Sequence, residues 1–251
     1  MDIKSRKKQE IYNRWHKEIY QLDVQRDYSR FAHINKTIVK YLEITKNSKG
    51  KLLDVPCGKG LTLKAVSEIN NKLKLYGSDI SDYAVSVAKK LVKAKFSVDN
   101  AEQLSFKSNQ FDFVVCAGGL EYYNSPTKGA REIARVLKKN GRAIIFVPNL
   151  MFLGYIWLAL RCGLMPTHGG SDRKGKKVYD YNDEKFFTFR GWTDVLKGGG
   201  LKIIKSEVYS RIGGTKFANE AVLWLYNKIF YRFIPFNLSY SFIFICKKND
   251  N

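Results

Sequence analysis

Two acidic residues and two glycines form the part of this sequence best suited to bind a ligand. Asp54 ends a short apolar run, and Gly58 and Gly60 follow it just before a helical pattern. Glycine lets the backbone turn sharply and lets a ligand approach without a Cβ in the way. Asp79 ends the next apolar run, about 20 residues beyond Gly60, which is where a dinucleotide fold places its ribose-binding acid. The spacing predicts that Asp54 accepts hydrogen bonds from a cationic amino group and that Asp79 binds ribose hydroxyls.

The residues around the glycines distinguish between two kinds of nucleotide ligand. Dinucleotide sites use Gly-x-Gly-x-x-Gly and place a diphosphate at the helix N-terminus. Here Pro56 stands in place of the first glycine. An anionic diphosphate gains nothing from Asp54, whereas the ammonium group of a methionine moiety does. The pattern therefore disfavours NAD, although a purely structural β-turn would also explain the glycines taken alone.

The elements that must position these residues alternate between short strands and amphipathic helices. After Gly50 the sequence predicts strands at 51–55, 73–77, 95–98, 111–116 and 142–147, with a break at Asn140-Gly141 before the last of them. A helix at 188–196 and strands at 201–208 and 240–246 follow. This alternation indicates a parallel sheet with helices on both faces. Residues 1–49 form a charged, helical segment before it.

Three further motifs follow in order along the chain. They are Asn100-Ala101-Glu102-Gln103-Leu104-Ser105-Phe106, the strand and loop of residues 111–123, and the helix, turn and strand of residues 130–142. Together with the glycine turn they resemble the class I S-adenosylmethionine-dependent methyltransferases, and in particular the type 11 branch with its Ala-Glu-x-Leu-x-Phe motif. The resemblance covers residues 50–148 well and residues 185–247 loosely.

The resemblance implies an α/β fold with a Rossmann-like, seven-stranded mixed sheet whose last strand is antiparallel, and S-adenosylmethionine as cofactor. It implies that the glycine motif wraps the methionine part, that Asp79 holds the ribose and that Ile80 packs on the adenine. Asn100 stands where the family usually has Asp at the adenine edge, with Asp99 one place earlier. The expected cofactor-binding residues are Asp54, Pro56, Gly58, Gly60, Asp79, Ile80, Asp99, Asn100, Ala101, Ala117 and Gly118.

Candidates for a general base lie on the loop after the fourth strand and in the insertion that follows the fifth. They are Glu121, Tyr122, Tyr123 and His168. A base is needed only if the acceptor is a hydroxyl or a protonated amine. Glu121 has the alternative of capping a helix or pairing with a nearby basic residue, the tyrosines of only lining the pocket, and His168 of being an ordinary loop histidine.

Two insertions, at 148–187 and 209–238, extend the domain of residues 50–251. Ligands of an open α/β sheet bind at the carboxyl ends of its strands, and both insertions leave from that edge. We therefore expect them to cover the acceptor site. Their apolar and aromatic segments, 150–160 and 221–234, and the basic run 173–177 suit an anionic membrane surface. Packing on the domain or in a dimer is the alternative.

The composition is strongly basic. The 251 residues include 44 Lys and Arg against 23 Asp and Glu, a formal net charge of +21. Such a field attracts nucleic acid, anionic membranes or acidic small molecules, but an AT-rich genome would also produce this excess of lysine. The acceptor is therefore expected to be a small molecule, a lipid-linked compound or a cell-envelope saccharide. An RNA methyltransferase is the runner-up, disfavoured because residues 118–121 are unlike an Asn-Pro-Pro-Tyr loop, and a non-catalytic cofactor-binding subunit is a third interpretation.

The cysteines and the N-terminus indicate a reducing compartment. Cys57, Cys116, Cys162 and Cys246 lie far apart without metal-ligand spacing, which argues against a zinc site or a disulfide framework. The basic N-terminus leads into no apolar segment, and the longest apolar run is shorter than the ~20 residues that span a bilayer. We expect a cytoplasmic protein, with any membrane contact peripheral.

Overall fold

A computed structural model describes residues 3–18, 24–162, 184–209, 229 and 233–249 of the chain. Two helices, α1 (Ile3–Glu18) and α2 (Val24–Leu42), precede an alternating α/β region. Its strands are β1 (Lys51–Asp54), β2 (Lys74–Asp79), β3 (Lys95–Val98), β4 (Phe111–Ala117), β5 (Leu137–Pro148), β6 (Leu201–Tyr209) and β7 (Ser241–Lys248). Its helices are α3 (Leu61–Ile69), α4 (Asp82–Leu91), α5 (Pro126–Val136), α6 (Leu153–Cys162) and α7 (Phe189–Gly198).

The seven described strands form one sheet in the order β3-β2-β1-β4-β5-β7-β6. Strands β1 to β5 are parallel, and β7 is antiparallel to both β5 and β6. The predicted mixed sheet with an antiparallel last strand is confirmed. Because β1 pairs with β2 and β4, the carboxyl ends of these three strands meet at one edge, where the Rossmann class binds its ligands.

Strand β5 begins earlier than the sequence indicates. The predicted break at Asn140-Gly141 interrupts the pairing with β4 rather than the strand itself, because Phe111 pairs with Leu137 and Phe113 with Arg142. The residues between form an irregularity in which a Cβ on Gly141 would lie 2.7 Å from the Leu137 side chain. The glycine is needed there for close packing.

The sheet has a hydrophobic core on each face, because successive side chains of a strand point in opposite directions. Leu52 belongs to the same buried cluster as Ile38 and Leu42 of α2. Its neighbour Leu53 belongs to the opposite cluster, which includes Trp192 of α7. The sequence predicts that the domain begins at residue 50. Helix α2 lies before that boundary but shares a hydrophobic core with the domain. Among the described residues, no helix is long and apolar enough to cross a bilayer.

Candidate cofactor and acceptor site

The glycine turn after β1 requires its glycines for conformation. Gly58 and Gly60 have φ values of +48° and +79°, a left-handed region that a Cβ disfavours. Gly60 is the N-cap of α3, and a Cβ there would lie 3.1 Å from Ala88 of α4. The backbone N–H of Cys57 donates to the carbonyl of Ser78 at 2.9 Å, which fixes the turn to β2. The turn is thus held against the end of the neighbouring strand.

Asp79, at the end of β2, is bound by that turn. Its carboxylate accepts the backbone N–H of Gly58 at 2.8 Å and that of Ser81 at 2.9 Å. The side chain is only 5% exposed. Burial raises the pKa of Asp79 to about 6, although hydrogen bonds from the backbone amides of Ser81, Gly58 and Ile80 act in the opposite direction.

Asp54 lies at the end of the adjacent strand and is 2% exposed. Burial raises its pKa well above the usual range, and the charge of Asp79 raises it further. Two buried carboxylates that repel each other favour a cation or a set of hydrogen-bond donors beside them. The sequence predicted this pair from spacing alone, and the structure places the two residues on neighbouring strand ends.

The two candidates for the adenine edge differ in their surroundings. Asp99 accepts hydrogen bonds on its Oδ2 atom from three serine hydroxyls, those of Ser78, Ser97 and Ser105, at 3.3, 2.7 and 2.9 Å. Asn100 accepts the backbone N–H of Glu102 at 3.0 Å and donates to the Ser5 hydroxyl at 3.0 Å. The Oδ2 atom of Asp99 is thus already bound by three serines, whereas the side chain of Asn100 is bound to α1 through Ser5.

The loop after β4 forms the opposite side of the cleft. Gly118 has a φ of +67°, and a Cβ placed on it would meet only Glu121 Oε1, at 3.7 Å, within 4 Å. A Cβ on Gly119 would lie 2.1 Å from the ring of Pro56, so this loop packs directly on the glycine turn. Pro56 and the loop therefore shape the cleft from two sides.

Glu121 is the second residue of a short 3-10 helix, Leu120–Tyr122, and its side chain is only 3% exposed. The nearby basic residues considered as its partners from the sequence, Lys128 and Arg131, are exposed residues of α5. Tyr123 is buried, with its hydroxyl 3.8 Å from Cys116 Sγ and its ring where a Cβ of Gly129 would fall. Tyr123 is therefore a packing residue. His168 lies outside the described residues.

Comparison with known proteins identifies the kind of domain. Residues 53–145 match the type 11 methyltransferase domain. The chain is 28% identical to protein MJ1252 of Methanocaldococcus jannaschii over 208 residues, which cover 80% of this chain and 76% of that protein. It is 24% identical to the demethylmenaquinone methyltransferase of Bacillus mycoides over 196 residues, which cover 73% and 82% of the two chains.

A solved structure shares the fold. It is a chain of the Haloferax volcanii complex between the Trm112 methyltransferase activator and a methyltransferase, with a TM-score of 0.65 at 14% identity over 95% of this chain and 97% of the other. The protein is a class I S-adenosylmethionine-dependent methyltransferase. The cofactor of this methyltransferase is S-adenosylmethionine, as the sequence motifs indicated.

The methyltransferase has a second group of polar and aromatic residues beside Glu121. A hydrogen bond joins Tyr122 to Glu184, and burial, followed by the charges of Glu184 and Glu121, raises the pKa of Tyr122 well above its usual range. Lys185 fixes this arrangement, because its backbone N–H donates to the Glu121 carbonyl at 2.8 Å and its Nζ to the Tyr123 carbonyl at 2.9 Å. The end of the first insertion is thereby tied to the β4 loop.

Aromatic rings continue this group along α6 and the start of β7. The ring of Tyr155 lies 5.1 Å from Phe152, 5.5 Å from Phe186 and 6.4 Å from Tyr240, measured between centroids. Burial and the neighbouring Tyr240 and Glu184 raise the pKa of Tyr155. We call Phe152, Tyr155, Phe186 and Tyr240 the aromatic cluster.

Sequence reasoning missed Glu184, Tyr155 and Tyr240 as site residues. Tyr155 and Glu184 belong to the first insertion, and Tyr240 directly precedes β7, after the second insertion. No motif marks any of the three. Topology did indicate that the insertions leave from the carboxyl edge. It did not indicate which of their side chains reach Glu121, because that depends on how the segments fold back.

Proposed function

We propose that this methyltransferase transfers a methyl group to a small-molecule acceptor with an apolar, lipid-like part, bound between the β4 loop and the aromatic cluster. The observation that carries the cofactor half of the proposal is the pair of buried carboxylates at the neighbouring ends of β1 and β2, one of them bound by the glycine turn. The aromatic cluster and the exposed apolar residues of the insertions support the acceptor half.

The residues of the cleft fit S-adenosylmethionine. Both Gly58 and Gly118 have the left-handed backbone conformation that a side chain disfavours, and a Cβ on Gly58 or Gly118 would meet only His16 Cε1 at 3.9 Å or Glu121 Oε1 at 3.7 Å within 4 Å. In our assignment the backbone at these two glycines approaches the cofactor closely. In our assignment Asp54 accepts hydrogen bonds from the amino group and Asp79 accepts them from the ribose hydroxyls. The adenine edge is assigned to Asn100 and Ala101, with Ile80 against the ring.

Placement of the acceptor is the second requirement. Bound S-adenosylmethionine supplies an electrophilic methyl group, and in-line displacement needs the nucleophile held within about 3–3.5 Å of it in a site that excludes water. Ala117, Gly118 and Glu121 lie at the end of β4, beside the cleft. In our assignment Glu121 takes a proton from a hydroxyl or amine acceptor, and the hydrogen-bonded pair Tyr122 and Glu184 orients it.

The lipid-like character of the acceptor rests on the insertions and on the relatives. Leu160 and Phe233, one in each insertion, are 82% and 78% exposed. The name of the Bacillus mycoides relative describes methylation of demethylmenaquinone, and other relatives carry names in ubiquinone and menaquinone biosynthesis. A net charge of +21 complements the anionic lipid surface on which such acceptors are found.

A labelling experiment tests the proposal. The protein is incubated with S-adenosylmethionine tritiated on its methyl group and with fractionated cell material: a lipid extract, an aqueous metabolite extract, a saccharide fraction and total RNA. We expect label in the lipid fraction with the wild-type protein, and a large loss of it with Glu121→Gln at unchanged cofactor affinity. Label in the aqueous, saccharide or RNA fraction instead would show that the acceptor belongs to that class and would contradict a lipid-like acceptor. Label in no fraction would contradict catalysis on all of these acceptors.

A further inference from the structure

Helix α1 turns a polar face, rather than an apolar one, towards the domain. Its inner face consists of Ser5, Lys8, Tyr12, Asn13 and His16, which share one side of a helix by their spacing. Ser5 and His16 are 5% and 7% exposed, whereas Arg6, Lys7, Glu10 and Lys17 are exposed to solvent. Among the described residues, neither hydrophobic cluster of the sheet contains a residue of α1.

This inner face contacts each segment that we assign to the cofactor. Asn13 Oδ1 accepts the Ser81 hydroxyl at 2.7 Å and the backbone N–H of Tyr83 at 3.3 Å, directly after Asp79. The Ser5 hydroxyl accepts from Asn100 Nδ2 at 3.0 Å, at the adenine edge.

The same face reaches the glycine turn and the β4 loop. His16 Cε1 would lie 3.9 Å from a Cβ on Gly58. Lys8 Nζ donates to the Tyr122 carbonyl and to Asn124 Oδ1, and the ring of Tyr12 meets that of Tyr122 edge-on at 6.2 Å between centroids. Helix α1 therefore lies across the cleft from the adenine edge to the acceptor side.

The polarity of these contacts determines how firmly α1 is held. Apolar burial supplies most of the free energy that fixes a helix on a domain. A hydrogen bond contributes little net free energy here, because the same groups bond to water when the helix leaves. Helix α2 is fixed by apolar burial, since Ile38 and Leu42 lie in the core. Helix α1 is held mainly by hydrogen bonds.

We propose that α1 is a movable wall of the cofactor site, which completes the site when the cofactor is bound and moves away for its exchange. The inference rests on the cofactor placement proposed above. Asp54 and Asp79 are 2% and 5% exposed, and α1 contacts Ser81 and approaches Gly58, which adjoin Asp79. In this proposal, movement of α1 opens the way from solvent to the two carboxylates. Once α1 returns, its polar groups are available to the nucleoside as well as to the loops.

Kinetics of cofactor-product binding test this proposal with full-length protein. Association and dissociation rate constants of S-adenosylhomocysteine are measured by surface plasmon resonance for the wild type, for the double variant Ser5→Ala/Asn13→Ala and for Glu10→Ala. The double variant removes inner-face contacts, and Glu10→Ala is a matched control on the outer face. We expect both rate constants to rise in the double variant, with dissociation faster by roughly tenfold, and the control to equal the wild type.

Amide hydrogen exchange supplies the second readout. We expect saturation with S-adenosylhomocysteine to slow exchange in residues 3–18 of the wild type and to do so less in the double variant. The inference would be overturned if the rate constants of the double variant were unchanged and if the amide exchange rate of α1 were the same with and without the ligand. That result would leave the cofactor placement intact. Failure of S-adenosylhomocysteine to bind the wild type would overturn both.

Discussion

Asp54 and Asp79 stand at the ends of neighbouring strands, where water hardly reaches them. Burial raises the pKa of both carboxyl groups, so keeping them ionised without a ligand costs free energy. The amides of Gly58 and Ser81 offset part of that cost for Asp79. In our assignment, a ligand with an ammonium group and ribose hydroxyls offsets more of that cost, and we propose this as the residue-scale source of cofactor affinity.

Replacement of Asp79 by Asn tests this role. Asp79→Asn keeps the side-chain volume but removes a charge-assisted acceptor, so we expect the affinity for S-adenosylmethionine to fall by about 1–3 kcal/mol in isothermal titration calorimetry. Asp82→Asn, at the exposed start of α4, is the control and should bind as the wild type does. An unchanged dissociation constant for Asp79→Asn, with the fold intact by circular dichroism, would refute the ribose role.

At the scale of the element, α1 is coupled to pH through His16. Burial, and then the charge of Lys59, lowers the pKa of His16 from 6.5 to about 4 in the docked helix. Docking is therefore fully favourable above pH 6.5 and weakens as the pH falls towards 4, because only the undocked histidine gains a proton in that interval. At pH 5 the loss of docking free energy is about 2 kcal/mol.

Hydrogen exchange of α1 at pH 7 and pH 5, corrected for intrinsic rates, measures this effect. We expect faster corrected exchange in residues 3–18 at pH 5, and a smaller pH effect in His16→Asn, which cannot be protonated. Equal pH effects in the two proteins would show that His16 is not the group responsible.

The junction between β5 and β7 depends on a single buried amide. Asn149 is fully buried, and its Nδ2 donates to the carbonyls of Asn237 and Ser239 at 2.9 and 2.8 Å, while its Oδ1 accepts from Met151 at 3.0 Å. Asn149→Ala leaves these groups without partners, and we expect the free energy of unfolding to fall by about 2–4 kcal/mol in chemical denaturation. Asn140→Ala, at an exposed position, should change it little. A loss equal to that of the control would contradict the structural role.

Much of this element-level organisation could be predicted from the sequence, because it is locally encoded. The strand that ends at Asp54, the glycine turn and the strand that ends at Asp79 are contiguous patterns, and their order implies the neighbouring strand ends. The polar inner face of α1 was not predicted, because the sequence indicated only a charged, helical segment over residues 1–49 and not which of its sides meets the domain. The contact of Glu184 with Tyr122 was also missed, since it joins residues about 60 positions apart through the fold of an insertion.

At the scale of the whole molecule, the net charge of +21 and the exposed apolar residues of the two insertions are the two features behind the proposed lipid-like acceptor. In our proposal, the basic charge attracts the protein to anionic lipid, and exposed apolar side chains such as Leu160 and Phe233 enter the interface. The exposed apolar residues belong to the insertions, which leave from the carboxyl edge of the sheet, whereas the charge acts over the whole protein. Membrane contact through the insertions would therefore bring a lipid-like acceptor to the aromatic cluster.

Vesicle co-sedimentation tests that combination. We expect the protein to sediment with phosphatidylglycerol vesicles at low salt, and less so at high salt, because screening weakens the attraction. Leu160→Ser/Phe233→Ser should bind less tightly at the same net charge, with Ile69→Ser, at an exposed apolar residue of α3 outside the insertions, as the control. Sedimentation equal to that with neutral phosphatidylcholine vesicles would remove the membrane from the proposal.

A crystal structure with S-adenosylhomocysteine tests the central claim most directly. We expect density for the nucleoside across the ends of β1, β2 and β4, with its amino group within hydrogen-bonding distance of Asp54, its ribose hydroxyls at Asp79 and its adenine beside Ile80 and Asn100. A cleft beside Gly58 that stays empty at saturating ligand, or that binds a diphosphate instead, would contradict the account.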